Sequence, residues 1–204
     1  MATRETDVSV AAQQIIDLPR PKQTGGLPLF DAIKARHSTR EFDGRALPLT
    51  TISSLMWAAY GVNRPTGEHT APSWRHSSEI DVFAVTATGI WRYDPKAHRL
   101  LPCLAGDWRA QTGHQDYVGQ APLNLVYVGD LDRMAEGPIE ERRLAAYTDA
   151  GFIGQNVYLF CASEGLAAVF RGMIDREKFS RLLGLGKDQV VTYAQTVGFP
   201  KSAA

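Results

Sequence analysis

The chain has 204 residues, of which 44% are hydrophobic, and its 22 basic and 22 acidic side chains give a net charge of zero. This length predicts one domain, or one domain with an insertion, with enough apolar residues for a core. The neutral balance argues against nucleic acid or an anionic membrane surface as the main partner. No apolar run is long enough to span a bilayer and no apolar signal core opens the chain, so we expect a cytoplasmic protein.

The first 27 residues are polar and include several prolines and glycines. They predict an N-terminal arm without a core of its own, and residues 28–204 are then a single domain. Pro28 opens a short predicted helix that ends near His37. Three apolar residues form one face of this helix: Leu29, Phe30 and Ile33.

A second helix is predicted after Pro48, with Thr50 or Thr51 as its cap and Gly61 at its end. Runs rich in β-branched and aromatic residues then predict a meander of short strands. These strands are expected at residues 80–87, 90–93 and 99–104. Residues 105–120 interrupt the pattern, and the next strand, at residues 122–130, is apolar throughout, so we expect both of its faces to be buried.

The longest predicted element is a helix at Ile139–Glu164, which Gly165 ends. Its middle is apolar nearly all round, so we expect it at the centre of the molecule, and Gly151 and Gly154 would allow another helix to approach closely. A strand, a short helix capped by Asp175 and a last strand follow. This order of elements indicates an α+β fold rather than the regular alternation of a doubly wound sheet.

Two cysteines, Cys103 and Cys161, stand in apolar contexts without C-x-x-C spacing. We therefore expect buried free thiols, as is typical of a reducing compartment, rather than a disulfide or a metal pair. The histidines His69 and His76 lack the i, i+4 helical spacing of a zinc site, so the sequence predicts no metal centre.

The most informative motif is Arg36-x-Ser38-x-Arg40, directly after the first helix. In an extended chain, side chains two residues apart point the same way. Two guanidinium groups and a hydroxyl can therefore converge on one anion, and arginine forks match the geometry of a phosphate. The alternative is a solvated, charged helix end.

A helix followed by Arg-x-Ser-x-Arg resembles the opening segment of the nitroreductase family, whose members are FMN-dependent oxidoreductases. In that family these side chains hold the FMN phosphate, which implies the same role for Arg36, Ser38 and Arg40. The Gly-x-Pro at residues 198–200 resembles the closing motif of the family. A basic residue after that motif reaches the phosphate, and Lys201 takes its position here.

The loop after the second helix resembles a Pro-Ser segment of the family that contacts the flavin of the opposite subunit. Pro72 and Ser73 match this segment, and Arg75 fits the form seen in compact members. His76 stands where the family has an asparagine, so it is a candidate cofactor contact and a candidate substrate contact. The alternative is an exposed loop histidine without a role.

A third segment resembles the family's loop whose backbone N–H groups face the N5 and O4 edge of the flavin. Arg171 and Gly172 occupy the matching positions, and a glycine lets the backbone approach a planar ring closely. A plain tight turn before Asp175 is the alternative. Trp108 and Tyr117, within the interruption at residues 105–120, form a lid over the flavin in one interpretation, which makes them candidate substrate contacts. In the other interpretation they pack in the core.

The resemblance covers residues 28–201 and implies a four- or five-stranded, mostly antiparallel sheet flanked by helices. It further implies a homodimer with the long helix and two FMN sites in the interface. Hydride would pass from NADH or NADPH through flavin N5 to a small nitroaromatic, quinone or enone acceptor. Residues 93–100 also resemble the branch of the family that contains the thiazoline and oxazoline (SagB-type) dehydrogenases.

Two other kinds of protein fit the same residues. One is a flavin-binding carrier or sensor without turnover, which steady-state oxidation of NAD(P)H would distinguish from an enzyme. The other is a protein that has lost FMN and keeps the fold for interaction, which would be colourless and could not be reconstituted. Asp149, in a segment that resembles the central helix of the family, is expected to serve packing and hydrogen bonding rather than catalysis.

Overall fold

The computed structural model describes residues 14–201, which form an α+β fold around one antiparallel sheet. The seven strands follow one another across the sheet in the order β1-β4-β3-β2-β5-β7-β6. In chain order they are β1 (Ile16–Asp17), β2 (Ile80–Thr86), β3 (Gly89–Asp94), β4 (Arg99–Ala105), β5 (Leu123–Asp130), β6 (Ala167–Arg171) and β7 (Gln189–Gly198). The expected α+β class is confirmed.

The expected strand count of four or five is wrong. All six runs that the sequence predicts as strands join this one sheet, and β1 adds a short edge by pairing with β4. Part of the predicted N-terminal arm is therefore attached to the sheet of its own chain. The rest of that arm, residues 1–13, lies outside the described residues.

Helices cover both faces of the sheet because its strands alternate apolar side chains between two cores. The helices are α1 (Leu29–Ala35), α2 (Leu49–Tyr60), α3 (Ile139–Glu164) and α4 (Arg176–Leu183). On one face α2 and α3 pack against residues such as Val82 and Tyr127, whereas α4 packs on the other face against Phe83 and Val126. The central strand β5 is buried along nearly its whole length, as predicted.

Helix α2 begins two residues earlier than a cap at Thr50 would allow. Its N-terminal carbonyl belongs to Pro48, which accepts hydrogen bonds from the N–H groups of Thr51 and Ile52 at 2.9 and 3.0 Å. The predicted cap at Thr50 or Thr51 is therefore wrong. Proline fixes a φ angle suited to this position and has no N–H to leave unpaired.

Helix α3 has the predicted bounds and ends at Gly165, which adopts the left-handed conformation with φ +68°. The surroundings of its two glycines, Gly151 and Gly154, differ. A Cβ on Gly154 would lie 2.4 Å from the ring of Phe170, so this glycine admits a strand residue rather than another helix, whereas Gly151 has open space beside it.

Two helices expose apolar side chains on their outer surfaces. In α1 the predicted apolar face points to solvent, with Phe30 82% exposed, and in α3 Leu144 is 70% exposed and Phe152 44% exposed. We call these residues, together with Leu29 and Ile33, the outer apolar residues. Side chains of this size on helix surfaces often mark an interface with another chain.

One predicted thiol is not buried. Cys161 lies in the core, but Cys103 is exposed. The register between β3 and β4 shifts at this point, since Ile90 pairs with Leu104 and Trp91 pairs with Pro102. Cys103 is therefore the extra residue of a β-bulge, which turns its side chain out of the regular alternation.

Candidate functional site

The Arg-x-Ser-x-Arg segment lies between β6, a strand at one edge of the sheet, and Lys201, the last described residue. Arg36 is already in an extended conformation, and the N–H of Thr39 donates to the carbonyl oxygen of Ala168 in β6 at 2.9 Å. Two residues beyond Thr39, the carbonyl oxygen of Glu41 accepts a hydrogen bond from the N–H of Lys201 at 3.2 Å. The structure thus brings the predicted phosphate segment and the predicted closing lysine together.

The cations of this edge are not neutralised within the described part of the chain. Arg36, Arg40 and Lys201 form no ion pair with any carboxylate of residues 14–201, whereas the nearby Arg45 is paired with Asp43. These three cations without an ion pair lie on two backbone segments that the Lys201–Glu41 hydrogen bond joins, and we call them the basic site. Their donor groups suit a phosphate, and FMN carries one.

Tyr158 of α3 links this basic site to the loop after β6. Its hydroxyl lies 2.7 Å from Oγ of Ser38 and accepts a hydrogen bond from the N–H of Phe170 at 2.7 Å. The guanidinium of Arg36 lies over the Tyr158 ring at 5.2 Å from the centroid. When Tyr158 donates to Ser38, the serine keeps its own proton for an external acceptor.

The loop after β6 presents backbone to solvent at Gly172. This residue is exposed, and its N–H donates to no acceptor within residues 14–201, while its carbonyl oxygen accepts from the N–H of Ile174 at 3.1 Å. Phe170, two residues before Gly172, donates its N–H to the hydroxyl of Tyr158. The predicted N5 segment therefore adjoins the basic site through one tyrosine.

Arg171 turns its side chain away from this surface. It donates to the carbonyl oxygen of Thr112 at 2.7 Å, to Oδ1 of Asn124 at 2.9 Å and to Oγ1 of Thr196 at 2.9 Å. Burial lowers the pKa of Arg171 to about 10, so the guanidinium is charged at neutral pH although no carboxylate of residues 14–201 contacts it. Only its backbone can then face a ligand on the Gly172 side.

The loop with Pro72 and Ser73 lies elsewhere on the same chain. The N–H of Trp74 donates to Oδ2 of Asp149 in α3 at 2.6 Å. Asp149 precedes Tyr158 by nine residues, which is about 13 Å along a helix. Within one chain, the structure does not bring this loop next to the basic site.

Arg75 and His76 of this loop are exposed, and both have left-handed backbone conformations, with φ of +48° and +59°. The guanidinium of Arg75 stacks over the Trp74 ring at 4.3 Å from its centroid. Neither side chain forms an ion pair or a hydrogen bond within residues 14–201, so both are available to another molecule.

The aromatic residues of the interruption at residues 105–120 are half-buried. Trp108 packs on the core under α4 and donates to the carbonyl oxygen of Ala105 at 2.7 Å, and Tyr117 packs near Phe42 with the ring centroids 5.7 Å apart. These contacts hold both rings on their own chain. Their predicted role towards a substrate stays a prediction.

Sequence reasoning missed Tyr158 as a site residue. Its one signal was a hydroxyl in the apolar middle of α3, since a half-buried phenol needs a hydrogen-bond partner. The carboxyl group of Glu79, which is fully buried beneath the loop that contains Trp74, was missed as well.

Within residues 14–201 there is no cluster of three or more side chains suited to a metal ion, and no helix long and apolar enough to cross a membrane.

The chain belongs to the nitroreductase family, whose family model matches residues 33–199. A crystal structure from Ralstonia eutropha JMP134, provisionally described as a nitroreductase, is 43% identical with a TM-score of 0.88, and the match covers 94% of this chain and 91% of that one. A protein of Methanocaldococcus jannaschii, provisionally named a nitroreductase, is 26% identical over 160 residues, 72% of this chain and 79% of that protein.

A more distant structure has a named activity. It is the NADPH:FMN oxidoreductase from Vibrio harveyi complexed with NAD+, which is 22% identical with a TM-score of 0.64. The match covers 85% of this chain and 69% of that one. At this identity the likeness establishes a shared fold.

Proposed function

We propose that the protein is a homodimeric, FMN-dependent oxidoreductase. In this proposal it takes hydride from NADH or NADPH and delivers it to a small planar acceptor of the nitroaromatic, quinone or enone type. The observation that carries the proposal is that Tyr158 joins Arg36 and Ser38 of the predicted phosphate segment to Phe170, two residues before the exposed Gly172. Membership of the nitroreductase family and the named activity of the Vibrio harveyi structure support it.

The basic site would hold the FMN phosphate. Arg36 and Arg40 supply forked donors, Lys201 supplies a point charge, and Ser38 supplies a hydroxyl directed by Tyr158. Because none of the three cations is already paired within the described residues, binding a phosphate there breaks no ion pair. The positive charge of these residues complements the negative charge of the phosphate, although the whole chain has no net charge.

The backbone after β6 would face the reacting edge of the flavin. When bound, FMN supplies the redox chemistry, accepting hydride at N5 and releasing it to the second substrate. The N–H of Gly172 is fixed by the strand before it and by the turn to Ile174, so it can donate to a nearby acceptor without reorganisation. Arg171 contributes through its backbone, because its side chain is bound internally.

The proposal places the second flavin contact across a dimer interface. The outer apolar residues of α1 and α3 support burial against a second copy of the chain. The Pro72–Ser73 loop lies too far along α3 to reach the basic site of its own chain, so its contacts would be with the flavin of the partner. Arg75 and His76 would then line the substrate side, and Trp108 and Tyr117 would lie at its margin.

The test is the visible absorption spectrum of the purified protein, recorded before and after NADH or NADPH is added without oxygen. Flavin bands that bleach, followed by their return when a quinone is added, are expected. Bands that persist with both donors would indicate a flavin carrier instead. A colourless protein that cannot be reconstituted with FMN would contradict the proposal.

Tyr158→Phe is expected to weaken FMN binding by about three- to tenfold, since one neutral hydrogen bond is worth about 0.5–1.5 kcal/mol. The variant keeps the ring under Arg36 and removes the hydroxyl that joins Ser38 to the Phe170 N–H. Quenching of FMN fluorescence measures the dissociation constant.

The matched control is Tyr147→Phe. Tyr147 also lies on α3, and its ring contacts Tyr193 at 5.2 Å between centroids, but its hydroxyl forms no hydrogen bond within the described chain. The control is expected to bind FMN as the unmodified protein does. Equal affinity in both variants would remove the Tyr158 hydroxyl from the site.

A further inference from the structure

The loop at residues 73–78 has a strained backbone. Arg75, His76 and Ser78 all have φ between +48° and +59°, a region that residues other than glycine rarely adopt. Such a conformation persists only where the surroundings hold it. Since this loop carries the exposed Arg75 and His76, whatever holds it also sets where those two side chains point.

The contacts that hold the loop end on two buried carboxyl groups. The N–H of Trp74 donates to Oδ2 of Asp149 at 2.6 Å, and the hydroxyl of Ser77 donates to Oε2 of Glu79 at 2.8 Å. Glu79 is fully buried and Asp149 is 4% exposed. Both carboxyl groups end at this loop, and burial, followed by the neighbouring Asp149, raises the pKa of Glu79.

One oxygen of this pair needs a proton. Oε1 of Glu79 is buried and has no donor partner within residues 14–201. A proton on Oε1 that is donated to Asp149 satisfies both groups, and it leaves Asp149 charged to accept from Trp74. Burial, followed by the interaction with Asp149, raises the pKa of Glu79 from 4.5 to about 7.

The other titratable or charged groups around Glu79 do not compete for this proton near neutral pH. Burial raises the pKa of Tyr60, which stays neutral. The guanidinium of Arg133 donates to the backbone oxygen of Glu79 at 2.8 Å, and its charge is paired with Asp81 and Asp130. The proton therefore belongs to the Glu79–Asp149 pair.

We propose that Glu79 and Asp149 share one proton and act as positioning residues that hold the loop at residues 73–78 in its left-handed conformation. The pair releases the loop when the proton is lost. The consequence of this inference rests on the proposed function: flavin binding through the loop depends on the protonation of Glu79.

The direction of the pH dependence follows from the two states. Between about pH 4.5 and about pH 7 the folded protein keeps the proton while the unfolded chain has released it, so stability falls as the pH rises through this window. Above about pH 7 the folded protein loses the proton as well, two carboxylates face each other, and the loop is released.

Glu79→Gln tests the inference, because an amide donates to Asp149 at every pH. Hydrogen exchange of the Trp74 amide, measured without flavin, is expected to lose protection in the unmodified protein by about tenfold per pH unit as the pH approaches about 7, and to level off above it. In Glu79→Gln, and in Asp149→Asn as a second variant, protection is expected to stay constant. The control Glu136→Gln changes an exposed glutamate and is expected to behave as the unmodified protein.

The FMN dissociation constant is the second readout. It is expected to rise by about tenfold between about pH 6 and about pH 9 in the unmodified protein and to stay flat in Glu79→Gln. The same loss of Trp74 protection in the unmodified protein and in both pair variants would overturn the inference. If FMN does not bind but the exchange results are as expected, the proton-linked loop stands and the proposed function fails.

Discussion

Replacing Arg36 and Arg40 together by alanine is expected to weaken FMN binding by on the order of a thousandfold. Each charge-assisted hydrogen bond is worth roughly 1.5–3 kcal/mol, which is about tenfold to a hundredfold in affinity. Neither arginine forms an ion pair within the described chain, so the fold should tolerate their loss. Calorimetric titration of the flavin-free variant with FMN measures the effect.

Riboflavin provides the matched ligand, because it has the same ring system without the phosphate. Its affinity is expected to be unchanged in the double variant. Arg181→Ala is the matched protein control, since Arg181 is an exposed arginine of α4 paired with Glu177. A double variant that binds FMN as tightly as this control would show that the phosphate lies elsewhere.

Arg171→Met is expected to lower the free energy of unfolding by about 3 kcal/mol or more. The guanidinium supplies the donors to Thr112, Asn124 and Thr196, and losing the partner of a buried polar group costs about 1–3 kcal/mol. The guanidinium also lies so close to Gly113 that a Cβ at that position would clash with it. Urea unfolding measures the shift in midpoint.

The control for this change is Arg92→Met, on strand β3 of the same sheet. Its guanidinium is partly exposed and lies 3.6 Å from Asp81, and an exposed pair of this kind contributes at most about 1 kcal/mol. The two variants are expected to differ clearly in midpoint. Equal midpoints would mean that water or a rearrangement replaces the Arg171 donors.

Local sequence signals predicted most elements because each has its own chemistry. Pro138 and Gly165 bracket α3, and Asp175 caps α4 by accepting from the N–H of Lys178 at 3.0 Å. The order of strands has no such local signal. Strand β7 lies between β5 and β6, which the sequence separates by the whole of α3, so only long-range packing determines that placement.

The part of the candidate site that comes from a short sequence motif could be predicted. The part that depends on which side chains the fold buries could not. Arg36 and Ser38 were found from their spacing, and the structure adds that they meet Tyr158, a residue far along the chain. The buried Glu79 looks in the sequence like any polar residue before a strand. The outer apolar residues of α1 show the opposite case. Their spacing predicts a buried helix face, but in the single chain this face is exposed to solvent.

The position of β7 also sets how the protein can fold during synthesis. The strand pairs with β5 on one side and β6 on the other, yet among the described strands it is the last to leave the ribosome. Until residues 189–198 are available, β5 and β6 keep open edges that can pair with other chains. The nascent chain therefore completes the described sheet only after this strand emerges.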